Sequence, residues 1–100
     1  MRRPGLVKVV GDSMAPTLLP GDRCYVVPYA PGAPGVVVAE SNGLVVKRIG
    51  TVWKQRGHIY MVDLVSDHPD APGCPAVPVD DVLGRVSFRY WPLHRIGWVR

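Results

Sequence analysis

The chain has 100 residues, of which 47% are apolar, and carries a formal charge of +4 from 12 Lys and Arg against 8 Asp and Glu. This length suits one domain and leaves no room for a second independent core, and the apolar share excludes a disordered chain. Gly and Pro supply 11 residues each and valine is abundant, which excludes a helical bundle and indicates a mostly β protein.

Short apolar runs bounded by turn residues predict strands along most of the chain. The predicted strands are Leu6–Val10, Arg23–Val27, Val36–Glu40, Leu44–Ile49, Thr51–Gln55, His58–Leu64 and Val82–Tyr90. The Asn42-Gly43 pair is a strong hairpin signal, and Arg56-Gly57 indicates a second hairpin. Residues 67–78 read as a Pro-rich loop, and short helical turns are expected at Met14–Leu18 and Asp80–Leu83. The pattern favours an antiparallel, coiled or barrel-like sheet in a single domain over residues 1–100.

The N-terminus predicts where the protein acts. Its basic first residues lead into no signal-peptide core, because Lys8, Gly11 and Asp12 interrupt the apolar run. No stretch approaches the roughly 18 apolar residues of a membrane span. We therefore expect a cytoplasmic protein without a firm membrane anchor.

Two cysteines, Cys24 and Cys74, permit at most one bridge, and without a secretion signal we expect free thiols. Neither Cys-x-x-Cys nor His-x-x-x-His spacing occurs, so no metal and no other cofactor is expected.

The C-terminal region concentrates positive charge beside aromatic residues. Arg89, Arg95 and Arg100 lie near Trp91 and Trp98. A solvated basic face explains this composition, and the alternative is contact with an acidic partner or peripheral contact with lipid headgroups.

A hydroxyl in a glycine-flanked turn is the first candidate for chemistry. Ser13 follows an apolar strand within Gly11–Asp22, where backbone N–H groups can converge on an oxyanion. From local physics alone, a helix N-cap explains Ser13 better than a catalytic role does. A nucleophilic serine also needs a base, and no histidine stands in a recognisable triad context.

Lysine is the other base available to a serine. Strand alternation places Lys47 on the same face as Val45 and Ile49, where burial disfavours the charged ammonium. The alternative for Lys47 is an edge-strand lysine that blocks unwanted sheet pairing.

Three segments in chain order resemble the signal-peptidase-like serine proteases, a clan that includes the self-cleaving repressors of the SOS type. Ser13-Met14-Ala15-Pro16-Thr17-Leu18 with Gly21-Asp22 resembles their nucleophile box, and Val46-Lys47-Arg48-Ile49 resembles their lysine box. Residues 77–86 and 89–93 resemble the C-terminal box of the signal peptidase branch. The similarity covers nearly the whole chain and implies the coiled, mostly β catalytic core of that clan.

The resemblance implies a Ser–Lys dyad endopeptidase, with Ser13 as nucleophile and Lys47 as general base. The substrate would be an extended peptide of a precursor protein, in a groove lined by Val9, Val10, Met14 and Leu18. The soluble members it resembles most are the maturation proteases of nickel-type superoxide dismutase, which remove an N-terminal extension in the cytoplasm. No nucleic-acid partner is expected, because the repressors' DNA-binding domain has no counterpart here.

The chain departs from the family pattern at the residues that would support the nucleophile and the base. Gly11 replaces a hydroxyl residue that the signal peptidases often carry, so backbone donors must serve the oxyanion. Asp70 falls on the acid of the family's Asp-Ser-Arg motif, but Ala71 and Pro72 follow it, so the bracing ion pair is expected to be absent. His68 falls where a lysine-orienting serine would stand. Asp67 and Asp70 are candidate supporting residues, or else exposed loop carboxylates.

Two further functions stay open at this stage. A catalytically impaired peptide-binding module on the same fold would explain the altered Asp-Ser-Arg motif. The core of a membrane-surface signal peptidase would explain the tryptophans near the C-terminus. The sequence leaves the oligomeric state open.

Overall fold

The structure is a computed structural model that describes residues 5–57 and 59–100. It is mostly β, as predicted. The strands are β1 (Gly5–Lys8), β2 (Arg23–Val27), β3 (Val36–Glu40), β4 (Leu44–Gln55), β5 (Ile59–Val65), β6 (Cys74–Pro78), β7 (Val82–Trp91) and β8 (Gly97–Trp98). Two 3-10 helices occupy Val79–Asp81 and Leu93–Arg95. His58, the predicted first residue of the β5 strand, lies outside the described residues.

All eight strands belong to one curled antiparallel sheet. Its order is β1-β2-β7-β3-β4-β5-β6, and β8 pairs with β7 beside this path. The sheet closes about halfway towards a barrel. The predicted antiparallel, coiled architecture is therefore confirmed at this level.

Strand β3 lies at the centre of the molecule and is buried on both faces. Val36 and Val38 point into one core, and Val37 and Ala39 point into the other, as the two-residue period of a strand requires. The first core also contains Val9, Met14, Leu18, Cys24, Val86 and Val99. The second also contains Ile49, Val62, Leu64, Val77 and Val82. Each fully buried valine stabilises the fold by about 1.5–3 kcal/mol before entropy costs.

The hairpin predicted at Asn42-Gly43 joins β3 to β4. Both residues have positive φ, 55° at Asn42 and 111° at Gly43, which Asn and Gly tolerate best. The turn sets a register that pairs Val37 with Lys47 and Val36 with Arg48. This pairing brings the lysine box to the middle of the sheet.

The strand predictions were wrong in three details. The strand predicted at Leu6–Val10 is β1, which ends at Lys8. Leu44–Ile49 and Thr51–Gln55 form one continuous strand, β4, with a register shift between Ile49 and Val52. A Cβ at the intervening Gly50 would lie 3.3 Å from the Asp63 side chain, so glycine permits this close strand approach. Strand β6 lies within the predicted loop; it carries two prolines, which an edge strand tolerates.

The first predicted helical turn is present, and the second is shifted. Met14–Leu18 forms a single turn, closed by a hydrogen bond of 2.9 Å from Leu18 N–H to the Met14 carbonyl. Prolines at 16 and 20 leave no room for a helix to continue. The second turn is a 3-10 helix over Val79–Asp81, one residue earlier than the predicted start.

Both cysteines are free, as expected, with Cys24 buried and Cys74 partly buried. In the part of the chain that the structure describes, no helix is long and apolar enough to cross a membrane.

Candidate active site

Ser13 and Lys47 lie at the junction of two grooves and line both of them. The first groove, of about 360 Å³, runs between Val7–Val10 and Leu44–Lys47. The second, of about 620 Å³, continues past Gly11 and Asp12 towards residues 68–72. The two residues proposed as nucleophile and base therefore line the same two grooves.

Lys47 is almost fully buried, with 8% of the residue exposed, and its amine is held by a serine. Lys47 Nζ donates a hydrogen bond of 2.8 Å to Ser66 Oγ, and Ser66 Oγ donates one of 2.9 Å to the Pro72 carbonyl. The Ser66 proton is thus committed to Pro72, which leaves the oxygen lone pairs for Lys47. Within the described residues, 5–57 and 59–100, no carboxylate forms a salt bridge with Lys47.

The turn that carries Ser13 is closed at its base and tied at its centre. Val9 N–H donates to the Asp22 carbonyl and Gly21 N–H donates to the Val9 carbonyl, both at 2.8 Å. His68 N–H donates a hydrogen bond of 2.9 Å to the Ser13 carbonyl. The Ser13 N–H makes no backbone hydrogen bond within the described chain, so it is available to a developing oxyanion.

Asp67 links the Ser13 turn to strand β4. Its two oxygens each accept a hydrogen bond of 2.7 Å from the Arg48 guanidinium, and the Thr17 hydroxyl donates another of 2.5 Å. The Arg48 hydrogen bonds, with a smaller contribution from Thr17, lower the pKa of Asp67 against the opposing effect of burial. Asp67 is thus a charged, doubly bound support rather than a solvated loop carboxylate.

Three consecutive residues therefore hold both candidate catalytic groups, and we name Ser66, Asp67 and His68 the 66–68 clamp. Ser66 holds the amine of Lys47, Asp67 holds Arg48 and Thr17, and His68 holds the Ser13 backbone. Because the clamp follows directly from β5, the β4–β5 register determines where the two groups stand relative to each other.

The expected support of the site needs one addition and one correction. The ion pair expected to be absent involved Asp70; a different pair, formed by Asp67 with Arg48 at 2.7 Å, is present. The lysine-orienting hydroxyl is Ser66, and His68 contributes its backbone N–H. The β4–β5 hairpin pairs Arg48 with Val65, so the residue after Val65 lies next to Lys47. This register was the signal in the sequence that could have identified Ser66.

Asp70 has a different position from Asp67. It is exposed at the second groove, and its backbone N–H donates a 3.1 Å hydrogen bond to His68 Nδ1. Among the described residues its carboxylate forms no salt bridge. Of the two acidic residues named as supports, only Asp67 contacts the elements that carry Ser13 and Lys47.

A second anchor fixes the far end of the Ser13 turn. Asp22 is buried and forms salt bridges with Arg89 at 3.3 Å and with Arg95 at 3.2 Å. Arg89 also donates a 2.9 Å hydrogen bond to the Thr17 carbonyl, and its Nε contacts the Arg95 carbonyl. The interpretation of Arg89 and Arg95 as a solvated basic face is therefore wrong, because both arginines compensate a buried carboxylate.

The predicted substrate-lining residues fall into two groups. Val9, Val10 and Met14 line the first groove, with Val10 strongly exposed and the other two largely buried. Leu18 has no exposed surface and belongs to the first core. The turn from Met14 to Leu18 directs both side chains inward, which takes Leu18 away from the groove.

The chemistry available at the site is that of a hydroxyl, an amine and backbone donors. Apart from His58 and the first four residues, which are not described, no group of three or more His, Cys, Asp or Glu is arranged to hold a metal ion.

The comparisons with known proteins add no assignment. No protein-family model matches the chain, and searches of curated proteins and of solved structures give no significant match.

Proposed function

We propose that the protein is a serine endopeptidase with a Ser13–Lys47 dyad that removes an N-terminal extension from a precursor protein in the cytoplasm. The observation that carries this proposal is that Ser13 and Lys47, 34 positions apart in the chain, line the same two grooves. The resemblance to the signal-peptidase-like proteases supplies the reaction class.

In the proposed reaction, the uncharged amine of Lys47 takes the proton of Ser13 as Oγ attacks a peptide carbonyl. The free Ser13 N–H donates to the oxyanion that forms. The C–N bond then breaks, and the Lys47 ammonium returns the proton to the leaving amine. Lys47 then takes a proton from a water molecule as its oxygen attacks the acyl carbonyl. As the bond to Oγ breaks, the Lys47 ammonium returns that proton to Oγ, which regenerates Ser13 and the uncharged amine.

The hydrogen bond to Ser66 supports this role for Lys47. An uncharged amine that donates to Ser66 Oγ keeps its lone pair for the Ser13 proton. The Ser66 hydroxyl donates its own hydrogen to the Pro72 carbonyl. Ser66 therefore holds the amine of Lys47 in place without occupying the nitrogen lone pair.

Unpaired strand edges on both sides of the first groove support an extended peptide as the ligand. In the described chain, β1 pairs only with β2. Residues 44–47 of β4 pair with β3 on one side, and the pairing with β5 begins at Arg48. A peptide between these edges could add backbone hydrogen bonds to both strands. Its side chains would meet Val9, Val10 and Met14.

The test uses a peptide library of broad sequence content and identifies new N-termini by mass spectrometry. The unmodified protein is expected to generate new termini, and the Ser13→Ala protein is not. Absence of cleavage across the library, or the same termini from Ser13→Ala, would overturn the proposal. Binding of library peptides without cleavage would favour the peptide-binding module.

A further inference from the structure

A separate cleft, of about 360 Å³, lies at the far end of the Ser13 turn. One wall is formed by Leu19–Asp22, and the other by Trp91, Pro92, His94 and Arg95. This cleft, which we name the Arg95 cleft, shares no lining residue with either groove that contains the dyad. Its volume falls within the range of sites that bind small molecules.

The Arg95 cleft has more positive charge than its buried carboxylate needs. Asp22, the only acidic residue that lines the cleft, forms salt bridges with both Arg89 at 3.3 Å and Arg95 at 3.2 Å. One carboxylate balances the charge of only one of these two guanidinium groups. Arg23, which lies 5.9 Å from the centre of the Trp91 ring, adds a further positive charge beside the cleft. The surplus charge favours an anionic ligand.

The two arginines differ in how fully their donors are used. Arg89 donates to the Thr17 carbonyl, to Asp22 and to the Arg95 carbonyl, so it mainly holds the turn together. Arg95 donates to Asp22 through Nε and Nη2. In the part of the chain that the structure describes, its Nη1 makes no hydrogen bond, and no buried side-chain nitrogen or oxygen lacks a partner. The Nη1 atom of Arg95 is therefore accessible to solvent.

Asp22 thus fixes the Arg95 guanidinium along one edge and leaves its end free. Nη1 and the second N–H of Nη2 form a planar pair of donors, which matches the two oxygens of a carboxylate or phosphate. Because the buried Asp22 already holds the group in place, a ligand would lose little of its binding energy to ordering the side chain.

An aromatic wall stands beside these donors. Trp91 is 45% exposed, and it lines the cleft together with the apolar residues Leu19, Pro20 and Pro92. The flat face of an indole packs well against another planar ring. His94, next to Arg95 in the chain, adds an imidazole donor to the same cleft.

We propose that the Arg95 cleft binds a small aromatic oxyanion, which is a carboxylate or phosphate attached to a planar ring. The oxyanion accepts hydrogen bonds from the free end of Arg95, and the ring lies against Trp91. An inorganic anion or an uncharged ring would use only one of these two contacts and should bind more weakly. The cleft does not include the dyad, so this proposal stands or falls separately from the proposed protease activity.

The experiment compares four small probes by NMR titration of the unmodified protein. Phenyl phosphate and benzoate combine a ring with an oxyanion, whereas benzyl alcohol lacks the charge and inorganic phosphate lacks the ring. At least one aromatic anion is expected to bind saturably, and the other two probes should bind roughly tenfold more weakly or less. The tighter of the two aromatic anions identifies the preferred oxyanion. No binding of either aromatic anion, or equal binding of benzyl alcohol, would overturn the proposal.

Histidine ring signals locate the bound anion. His94 lines the Arg95 cleft, and His68 lines the second groove beside the dyad. The imidazole signals of His94 should shift with the tighter aromatic anion, and those of His68 should not. Shifts at His68 without shifts at His94 would place the anion at the dyad and overturn the proposal.

Two variants test the two contacts. Arg95→Lys keeps a positive charge beside Asp22 but loses the planar donors, and it should weaken binding of the tighter aromatic anion roughly tenfold. Trp91→Leu removes the aromatic face and should weaken it roughly fivefold. Circular dichroism checks that both variants fold.

The matched controls are Arg56→Lys and Trp53→Leu, which change an exposed arginine and an exposed tryptophan of the β4–β5 hairpin. Both controls should bind the anion like the unmodified protein. Unchanged affinity in Arg95→Lys or in Trp91→Leu, or an equal loss in the controls, would overturn the proposal.

Discussion

Ser66 Oγ lies 2.8 Å from Lys47 Nζ and donates its own proton to the Pro72 carbonyl. The amine is therefore held by an acceptor that cannot rotate its hydrogen towards the lysine without losing another bond. This relation separates the holding of Lys47 from its proposed chemistry, so the two can be tested by different variants.

Removal of either dyad member should abolish cleavage. Ser13→Ala and Lys47→Met are each expected to lower kcat/KM by roughly 1,000-fold or more, because each removes a group that the reaction needs. Cleavage of a library-selected peptide gives the rate, and circular dichroism checks the fold. Ser41→Ala and Lys54→Met provide matched controls outside the grooves. Appreciable turnover by either dyad variant would contradict the mechanism.

Ser66→Ala should impair the reaction without impairing peptide binding. A misplaced amine costs roughly 100-fold in kcat, whereas KM should stay close to that of the unmodified protein. Ser66→Thr keeps the hydroxyl and should restore most of the rate. If Ser66→Ala raised KM and left kcat unchanged, Ser66 would be a binding residue instead.

Asp67→Asn should destabilise the fold because it weakens the bidentate contact with Arg48. Hydrogen bonds to charged groups contribute about 1.5–3 kcal/mol, and partial exposure of the Arg48 side chain favours the lower end. Urea unfolding measures the change in the free energy of unfolding. The matched control, Asp70→Asn, alters an exposed carboxylate and should change this free energy by about 0.5 kcal/mol at most.

The same carboxylate predicts how stability depends on acid. Because the pKa of Asp67 is lower in the folded than in the unfolded protein, the unfolded chain binds the proton first as pH falls. The contribution of Asp67 is complete above its ordinary pKa of about 3.9 and is lost as pH falls through the lowered folded value. Asp67→Asn should therefore flatten the acid limb of stability against pH. An unchanged acid limb would show that Asp67 gains no ionic stabilisation.

Cys24 predicts an effect at the alkaline end. Burial, reinforced by the nearby Asp22 carboxylate, raises the pKa of Cys24 from 9.0 to about 11. Its stabilising contribution is complete below pH 9.0 and is lost as pH rises through about 11. Cys24→Ala should remove this alkaline component from urea unfolding measured against pH.

The two cysteines should also differ in reactivity. At pH 8 a thiol reagent should modify Cys74 rapidly and Cys24 slowly, and equal rates would contradict the assignment.

Asp22→Asn should be among the most damaging single changes. It leaves the partly buried Arg89 and Arg95 without their counter-charge, and breaking a buried pair costs about 3–5 kcal/mol. Thermal unfolding measures the loss, and Asp12→Asn in the exposed part of the same turn serves as the control. An unchanged midpoint in Asp22→Asn would mean that the arginines find other acceptors.

The strands were predictable where one pattern dominated. Asn42-Gly43 identified the β3–β4 hairpin, and the apolar runs identified Arg23–Val27 and Val36–Glu40 with the observed bounds. Strand β6 was missed because Pro75 and Pro78 are compatible with a loop until the pairing with β5 is known. The local sequence pattern does not tell which strand lies at the edge of the sheet, where prolines are tolerated.

The candidate site was predictable only for the two residues proposed to react. Ser13 and Lys47 were identified from the residues and the family resemblance, and both line the same two grooves. Ser66 and the salt bridges of Asp22 were not identified, because they depend on register and on contacts between residues far apart in the chain. Asp22 and Arg95, for example, are 73 positions apart.

The burial of β3 on both faces has a consequence for how the molecule unfolds. The two cores share strand β3. If β3 leaves one core, the other core loses the same strand, so the two cores should unfold together. Melting should accordingly be cooperative across the whole sheet, with the amides of Val36–Ala39 among the last to exchange with solvent deuterium.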